Sequence, residues 1–251
     1  MASNPVGTWN CSGLSEEMDG GTKEVTASDG ARGHTCPTLL QERQLWGDGF
    51  ERLAGLDEAG RGALAGPVVA AAAILPFDCA QEGVWAAVHD SKQITPSRRE
   101  RLAEEIQAQA ADWKLGEASA AEIDAIGIAP ATRLAMHRAV LALDPPPDHL
   151  LIDWVQLRAL NTPQQSFTRG DQRVVSIAAA SILAKVHRDR LLRQLHTAYP
   201  EYGFAGHKGY GVQTHLEAIA RFGPCPVHRR SFAPMRHQAG SFGEDQPPQS
   251  Y

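Results

Sequence analysis

Two short, mostly apolar runs stop at acids, and this pattern constrains the fold of the chain more than any other. Leu53-Ala54-Gly55-Leu56-Asp57 and His149-Leu150-Leu151-Ile152-Asp153 are too short to bury a helical face, and each ends on a carboxylate. They read as buried strands. Pro67 to Leu75 is a Val, Ala and Ile run without polar alternation. It suits a strand covered on both faces, although its alanines leave a helical reading open. Trp113 to Glu117 is a further strand candidate. Helical signals interleave with these runs. Thr95 is an N-cap candidate with Pro96 in the first turn, and Leu102 and Ile106 follow four apart. Residues 120–126 and 131–143 read as helices, the second ended by Asp144-Pro145-Pro146-Pro147. Ser176 to about Tyr199 is a long helix with Ile177, Ala180, Ile182 and Leu183 toward a core, and Gln213–Phe222 is a shorter one closed by Gly223-Pro224. Strands mixed with helices indicate an α/β domain.

The N-terminal residues 1–50 show no sustained hydrophobic period and carry 3 basic against 7 acidic residues. They read as a disordered or loosely docked extension, near whose end Leu39-Leu40 and Leu45-Trp46 can pack on the domain. Residues 237–251 read as a flexible tail. The expected folded unit is 51–236, its C-terminal part from about 176 largely helical. The four cysteines, at 11, 36, 79 and 225, form no CxxC pair, and Cys225-Pro226-Val227-His228 has no second pair to complete a zinc site. Unpaired thiols suit a reducing compartment. No basic start followed by an apolar core marks a secretory signal, and the longest apolar run, residues 63–77, is interrupted by Gly66-Pro67. A cytoplasmic protein without membrane contact is expected. Nothing in the sequence calls for an oligomer, so a monomer is the default.

The chemistry centres on acids at strand ends. Asp57 and Glu58 end one strand, Asp153 ends another, and Asp171 stands just before the long helix. A buried carboxylate is costly unless paired or bound to a cation, and several brought together repel one another. A hard divalent cation removes that repulsion, and Mg²⁺ and Mn²⁺ prefer oxygen ligands, the chemistry of phosphoryl transfer. Four separate solvated or capping acids are the alternative. Gly60-Arg61-Gly62 is a glycine-flanked loop whose amides and guanidinium can address a phosphate or a sugar hydroxyl, or simply a tight turn. Residues 202–211 interleave aromatics, glycines, His207 and Lys208, a mixture that stacks on sugars or bases while meeting phosphates. His228-Arg229-Arg230 adds cations, and Lys185 lies on the long helix.

Taken together these residues resemble bacterial ribonuclease HII. The resemblance rests on Asp57-Glu58-Ala59-Gly60-Arg61-Gly62 with Leu64 to Ala71, on Asp90-Ser91-Lys92, Leu151-Ile152-Asp153 and Gly170-Asp171, on Ser176 to Val186 with Arg188-Asp189, and on Tyr202-Gly203-Phe204 through His207-Lys208-Gly209-Tyr210. It runs from about 53 to 235 and covers neither tail. It implies an RNase H-like mixed β-sheet flanked by helices, with a helical C-terminal part closing over a hybrid duplex. The implied activity is cleavage of the RNA strand of RNA–DNA hybrids, and nicking of DNA on the 5′ side of an embedded ribonucleotide to leave 3′-hydroxyl and 5′-phosphate ends. By position Asp57, Glu58, Asp153 and Asp171 match the catalytic metal-binding acids, with Mg²⁺ or Mn²⁺ as the cation. Gly60, Arg61 and Gly62 match the loop that contacts the ribonucleotide, and Tyr210 the tyrosine that stacks on the following sugar. Lys185, Lys208, Arg229 and Arg230 are candidate phosphate contacts.

Trp154 departs from the family, which usually has Gly after the third acid, and a bulky ring there is expected to crowd the hybrid or retune specificity. Two other classes remain as alternatives: a junction resolvase sharing the carboxylates without a 2′-hydroxyl sensor, and an idle hybrid-binding module with Trp154 blocking the site. A net charge of −5 argues against a nucleic-acid partner, but residues 169–236 carry 11 basic against 4 acidic residues. The total averages acidic tails and a carboxylate-bearing half with a cationic segment suited to a phosphate backbone.

Overall fold

The structure is a computed structural model that describes residues 36–88 and 95–235. In chain order the elements are α1 (Leu40–Gly47), β1 (Leu53–Ala59), β2 (Val68–Ile74), α2 (Gly83–Ala87), α3 (Pro96–Gln109), β3 (Asp112–Ala118), α4 (Ala120–Ile126), α5 (Ile128–Leu141), β4 (His149–Asp153), β5 (Gln164–Phe167), α6 (Val175–Ala198), α7 (Phe204–His207) and α8 (Gln213–Phe222). The strands form one sheet in the order β3-β2-β1-β4-β5. The β1–β2 and β2–β3 pairs are antiparallel, whereas β1–β4 and β4–β5 are parallel. This is the mixed sheet flanked by helices that the sequence implies. Asp90-Ser91-Lys92 lies outside the described residues.

Burial on both faces of the sheet settles the character of β2. Val69, Ala71 and Ala73 belong to a core shared with α3 and α6, while Val68, Ala70, Ala72 and Ile74 belong to the opposite core with α5. The high helix propensity of alanine is overridden, because small side chains here let helices press directly on the sheet. Two glycines make the approach closest. A Cβ on Gly55 in β1 would lie 2.2 Å from the Ser176 carbonyl carbon in α6, and one on Gly116 in β3 would lie 2.1 Å from the Ala135 carbonyl oxygen in α5.

The boundary expected at residue 51 is corrected by α1. Leu39, Leu45 and Trp46 are buried in the α6-side core, and Thr38 N–H donates to the Arg173 carbonyl at 3.1 Å. Glu42 is fully buried, and its Oε1 accepts the Ser176 N–H at 2.8 Å. It thus caps the first turn of α6 from 134 residues away, where a carboxylate meets both orphan donors and the positive end of the helix dipole. Composition placed these residues in the extension because it counts Glu42 as a solvated charge.

The C-terminal part, α7 and α8 with their connections, forms a third small core around Tyr202, Phe204 and Ile219, packed on Leu64, Ala65 and Leu192. Among the described residues no helix is long and apolar enough to cross a membrane.

Removing the α6 cap should be measurable. Glu42→Ala is expected to lower unfolding free energy by about 1–3 kcal/mol, while Glu42→Gln, which keeps an acceptor, should lose less. Thermal melts of the three proteins test this, and equal melting temperatures would show that the cap carries no stability.

Candidate active site

Register brings the acids together. Leu53 through Leu56 pair in parallel with His149 through Ile152, so the next pair along is Asp57 beside Asp153. Leu53 and Leu151 face the α6 side, and period-two alternation sends Asp57 and Asp153 to that same face. Glu58 follows at the strand end. One carboxylate oxygen from each of Asp57, Glu58 and Asp153 lies within 4.8 Å of the others.

Each acid is held by hydrogen bonds. Asp57 is 5% exposed, accepts the Glu58 N–H at 2.6 Å, and is also hydrogen-bonded to the Ser181 side chain on α6. Asp153 Oδ1 accepts the Gly170 N–H at 2.7 Å. Glu58 accepts the Trp154 indole N–H at 3.0 and 3.3 Å and lies 3.5 Å from the Arg61 guanidinium. Burial, joined by repulsion from Glu58 and Asp153, raises the Asp57 carboxyl well above its ordinary range. Burial pushes Glu58 up to about 7, although the Trp154 N–H and Arg61 oppose it. The donor set is all oxygen, and its mutual repulsion, opposed only in part by the surrounding donors, fits a hard divalent cation.

Asp171 is not in this trio. It is buried on the 3₁₀ turn Gly170–Gln172, which the Asp153–Gly170 hydrogen bond fastens to the end of β4. The fourth acid of the expected set therefore sits beside the cluster, with its turn tied to one of the three.

The Gly60-Arg61-Gly62 loop follows β1 directly, and two fully buried arginines shape it. Arg229 donates from Nε to the Gly66 carbonyl at 3.0 Å, and from its two terminal nitrogens to Arg61 and Gly60 at 2.8 Å each. Arg188 donates to the carbonyls of Pro67, Lys208 and Ala65, all at 3.0 Å. This corrects the expectation for Arg229: with no exposed surface and every guanidinium nitrogen bonded to a carbonyl, it braces the loop and does not meet phosphate. Gly60 has φ 92°, and a Cβ there would lie 1.8 Å from Arg188 Nε. Only glycine fits.

Tyr210, 38% exposed, flanks the site, with Arg188 5.6 Å and Lys185 6.0 Å from its ring. Its carbonyl accepts from His215 Nδ1 at 2.9 Å, so a neutral His215 presents Nε2 as acceptor to His228 Nε2 at 3.1 Å. His228 Nδ1 in turn accepts the Cys225 N–H at 3.0 Å, with Cys225 Sγ 3.1 Å away. The C-x-x-H spacing thus serves a buried hydrogen-bond chain beneath Tyr210. Burial and neighbouring histidines push His228 down to about 4, which keeps the chain neutral.

The other cations differ in availability. Lys185 pairs with Asp189 at 2.7 Å, Lys208 folds back so that Nζ donates to the Ala205 carbonyl, and the Arg230 side chain is exposed. Trp154 bonds one of the acids. Sequence reasoning missed this contact, and it missed Ser181 and Arg188 as supports. The one signal for Ser181 is a small polar residue inside the apolar run Ser176 to Ala184.

Comparison with known proteins agrees with this geometry. The family described as Ribonuclease HII matches residues 54–235. Ribonuclease HII of Desulfitobacterium hafniense is 52% identical over 200 residues, covering 80% of this chain and 75% of that protein. The Geobacillus kaustophilus ribonuclease HII is 54% identical over 198 residues, covering 79% and 74%. Among solved structures, the ribonuclease H2 of Pyrococcus horikoshii OT3 superposes with a TM-score of 0.65 at 26% identity, over 76% of this chain and 98% of that one.

The acid cluster gives a pH-dependent stability of defined sign. An acid whose folded pKa exceeds its unfolded value holds its proton more tightly when folded, so folding stability falls as pH rises between the two values. For Glu58 that window runs from its ordinary 4.5 to about 7. The metal-free protein is expected to melt at a lower temperature at about pH 7.5 than at about pH 5, and Mg²⁺ or Mn²⁺ should raise the melting temperature far more at the higher pH. Asp57→Asn should raise the metal-free melting temperature at the higher pH by removing one repelling charge. A flat profile with no metal effect would contradict the convergence of the acids.

Proposed function

The chain belongs to the ribonuclease HII family, metal-dependent endoribonucleases that hydrolyse the RNA strand of RNA–DNA hybrids, and we propose that it also nicks duplex DNA on the 5′ side of an embedded ribonucleotide, leaving 3′-hydroxyl and 5′-phosphate ends. The observation that carries this reading is the convergence of Asp57, Glu58 and Asp153 oxygens within 4.8 Å beside the Gly60-Arg61-Gly62 loop. The cation is Mg²⁺ or Mn²⁺, held by those three acids with Asp171 completing the set from its neighbouring turn. When bound it supplies an activated water and neutralises charge at the leaving 3′ oxygen.

The chain's own residues prepare the site. Ser181 and the Glu58 N–H orient Asp57, the Gly170 N–H orients Asp153, and Trp154 with Arg61 orients Glu58. No protein nucleophile is needed, because a water activated by the cation would serve as the nucleophile. In our reading the loop of Gly60, Arg61 and Gly62 addresses the ribonucleotide, whose 2′-hydroxyl is the one group separating it from its DNA neighbours. Arg229 holds the Gly60 and Arg61 carbonyls of that loop, and Arg188 and Arg229 together hold the carbonyls of Ala65, Gly66 and Pro67 just after it. Tyr210 stacks on the next sugar, while Lys185, Lys208 and Arg230 meet the backbone; Arg229 acts only through the loop. A monomer in the cytoplasm suffices for this activity.

The test is a labelled DNA duplex with a single ribonucleotide, with Mg²⁺ or Mn²⁺, beside an all-DNA duplex and a four-way junction. Cutting 5′ of the ribonucleotide alone is expected; cutting of the junction would favour a resolvase, and binding without cutting an idle module. Asp57→Asn should abolish cleavage while largely preserving duplex affinity, and equal activity in mutant and parent would move the site elsewhere. Tyr210→Ala should lower cleavage at a lone ribonucleotide more than along an all-RNA strand. Duplex affinity should fall steeply with salt despite the acidic total charge, since phosphate contacts release counterions.

A further inference from the structure

Trp154 occupies a backbone conformation that suits glycine. Its φ is 53°, in the left-handed region that bulky L residues avoid. The segment is fixed there by the Trp154 N–H donating to the Phe167 carbonyl at 2.9 Å and the Val155 N–H donating to the Asp153 carbonyl at 2.7 Å. Core packing does not account for the ring. It is 37% exposed and lines an open cleft of about 800 Å³ that it shares with Arg133, His137 and Arg158. An unfavoured backbone carrying a half-exposed aromatic points to a role in the adjacent site.

Two contacts define that role. The indole N–H reaches both Glu58 oxygens, at 3.0 and 3.3 Å. The Arg61 guanidinium carbon lies 3.8 Å from the ring centroid, a stacked cation–π arrangement. Arg61 also stands 3.5 Å from the same Glu58 oxygen that accepts the shorter indole bond. One side chain therefore locks a metal-binding acid and a substrate-facing cation into a three-membered unit across the ends of β1 and β4.

We propose that Trp154 is a positioning residue: its N–H orients the Glu58 carboxylate toward the metal position, and its ring is the shelf that holds Arg61 at the substrate. This inference rests on the reading of the acid cluster as the metal site. It assigns two separable functions to one residue, the N–H acting on metal affinity and the ring acting on the substrate. A glycine at this position, having neither group, would leave Glu58 and Arg61 to be held by other means.

Substitutions separate the two functions. Trp154→Phe keeps a ring and loses the N–H; Trp154→Gly loses both and relieves the backbone. Mn²⁺ affinity of the full chain, read from the electron paramagnetic resonance signal of free Mn²⁺, should weaken at least threefold in both variants. At saturating Mn²⁺, the KM for the ribonucleotide-containing duplex should stay within twofold of the parent in Trp154→Phe and rise at least fivefold in Trp154→Gly. The melting temperature of the metal-free Trp154→Gly protein should equal or exceed that of the parent, a result a merely structural role would not give. Unchanged Mn²⁺ affinity in Trp154→Phe, unchanged KM in Trp154→Gly, or a lowered melting temperature accompanying the losses would each overturn the proposal. Asp57→Asn run in parallel separates the two levels. If it weakens Mn²⁺ binding while the Trp154 variants match the parent, only the role of Trp154 falls; if it too matches the parent, the metal-site reading falls with it.

Discussion

Two guanidinium groups buried without exposed surface, Arg188 and Arg229, hold the candidate site to the rest of the protein. Between them they bond the carbonyls of Gly60, Arg61, Ala65, Gly66, Pro67 and Lys208. Burying a cation is expensive, and here six carbonyl dipoles provide the compensation in place of a directly paired carboxylate. The arrangement sews three distant parts of the chain together: the loop after β1, the middle of α6 and the C-terminal segment. It also explains Gly60, where a side chain would occupy the position of the Arg188 guanidinium. Removing either arginine would take a donor from each of its carbonyl partners and a brace from the loop.

The acids depend on that frame and on the parallel pairing of β1 with β4. An antiparallel partner would have run the end of β4 away from Asp57; the parallel one sets Asp153 beside it. Burial, with the resulting repulsion added to it, raises the carboxyls of Asp57 and Glu58 and stores a penalty that a divalent cation removes. The site is thus less stable alone than when filled, a cost accepted where function requires it. The donors around it, Ser181, the Gly170 amide and the Trp154 indole, limit the penalty and fix the direction of each carboxylate.

Much of the fold was legible in the sequence. The bounds of α4 and α8 agree with the spans read from periodicity and from the Gly223 stop. The strands β1, β2 and β4 were marked by apolar runs, because strands covered on both faces carry few polar residues. The strand β5 was not legible: Gln164-Gln165-Ser166-Phe167 is a polar edge strand paired only with β4, and it shows no hydrophobic period. The helix α1 was hidden because Glu42 looks like a surface acid in an acidic stretch, while its meaning comes from the α6 terminus it meets.

The sequence by itself determined the chemistry: oxygen donors at strand ends, a glycine-flanked loop, a basic C-terminal segment, and through their joint order the family. Local pattern suffices for these, because residue type and short-range spacing are properties of the chain. The tertiary structure alone decided which of the like residues do which work. Arg229 and Arg230 are neighbours of the same type, yet one is sealed among carbonyls and the other is exposed. Asp57, Glu58 and Asp153 converge while Asp171 stands on the adjoining turn. Trp154, which in sequence looked like an obstruction, donates to Glu58 and carries Arg61. Burial and partnership are set by segments more than a hundred residues apart meeting in one register, and no local pattern encodes that meeting.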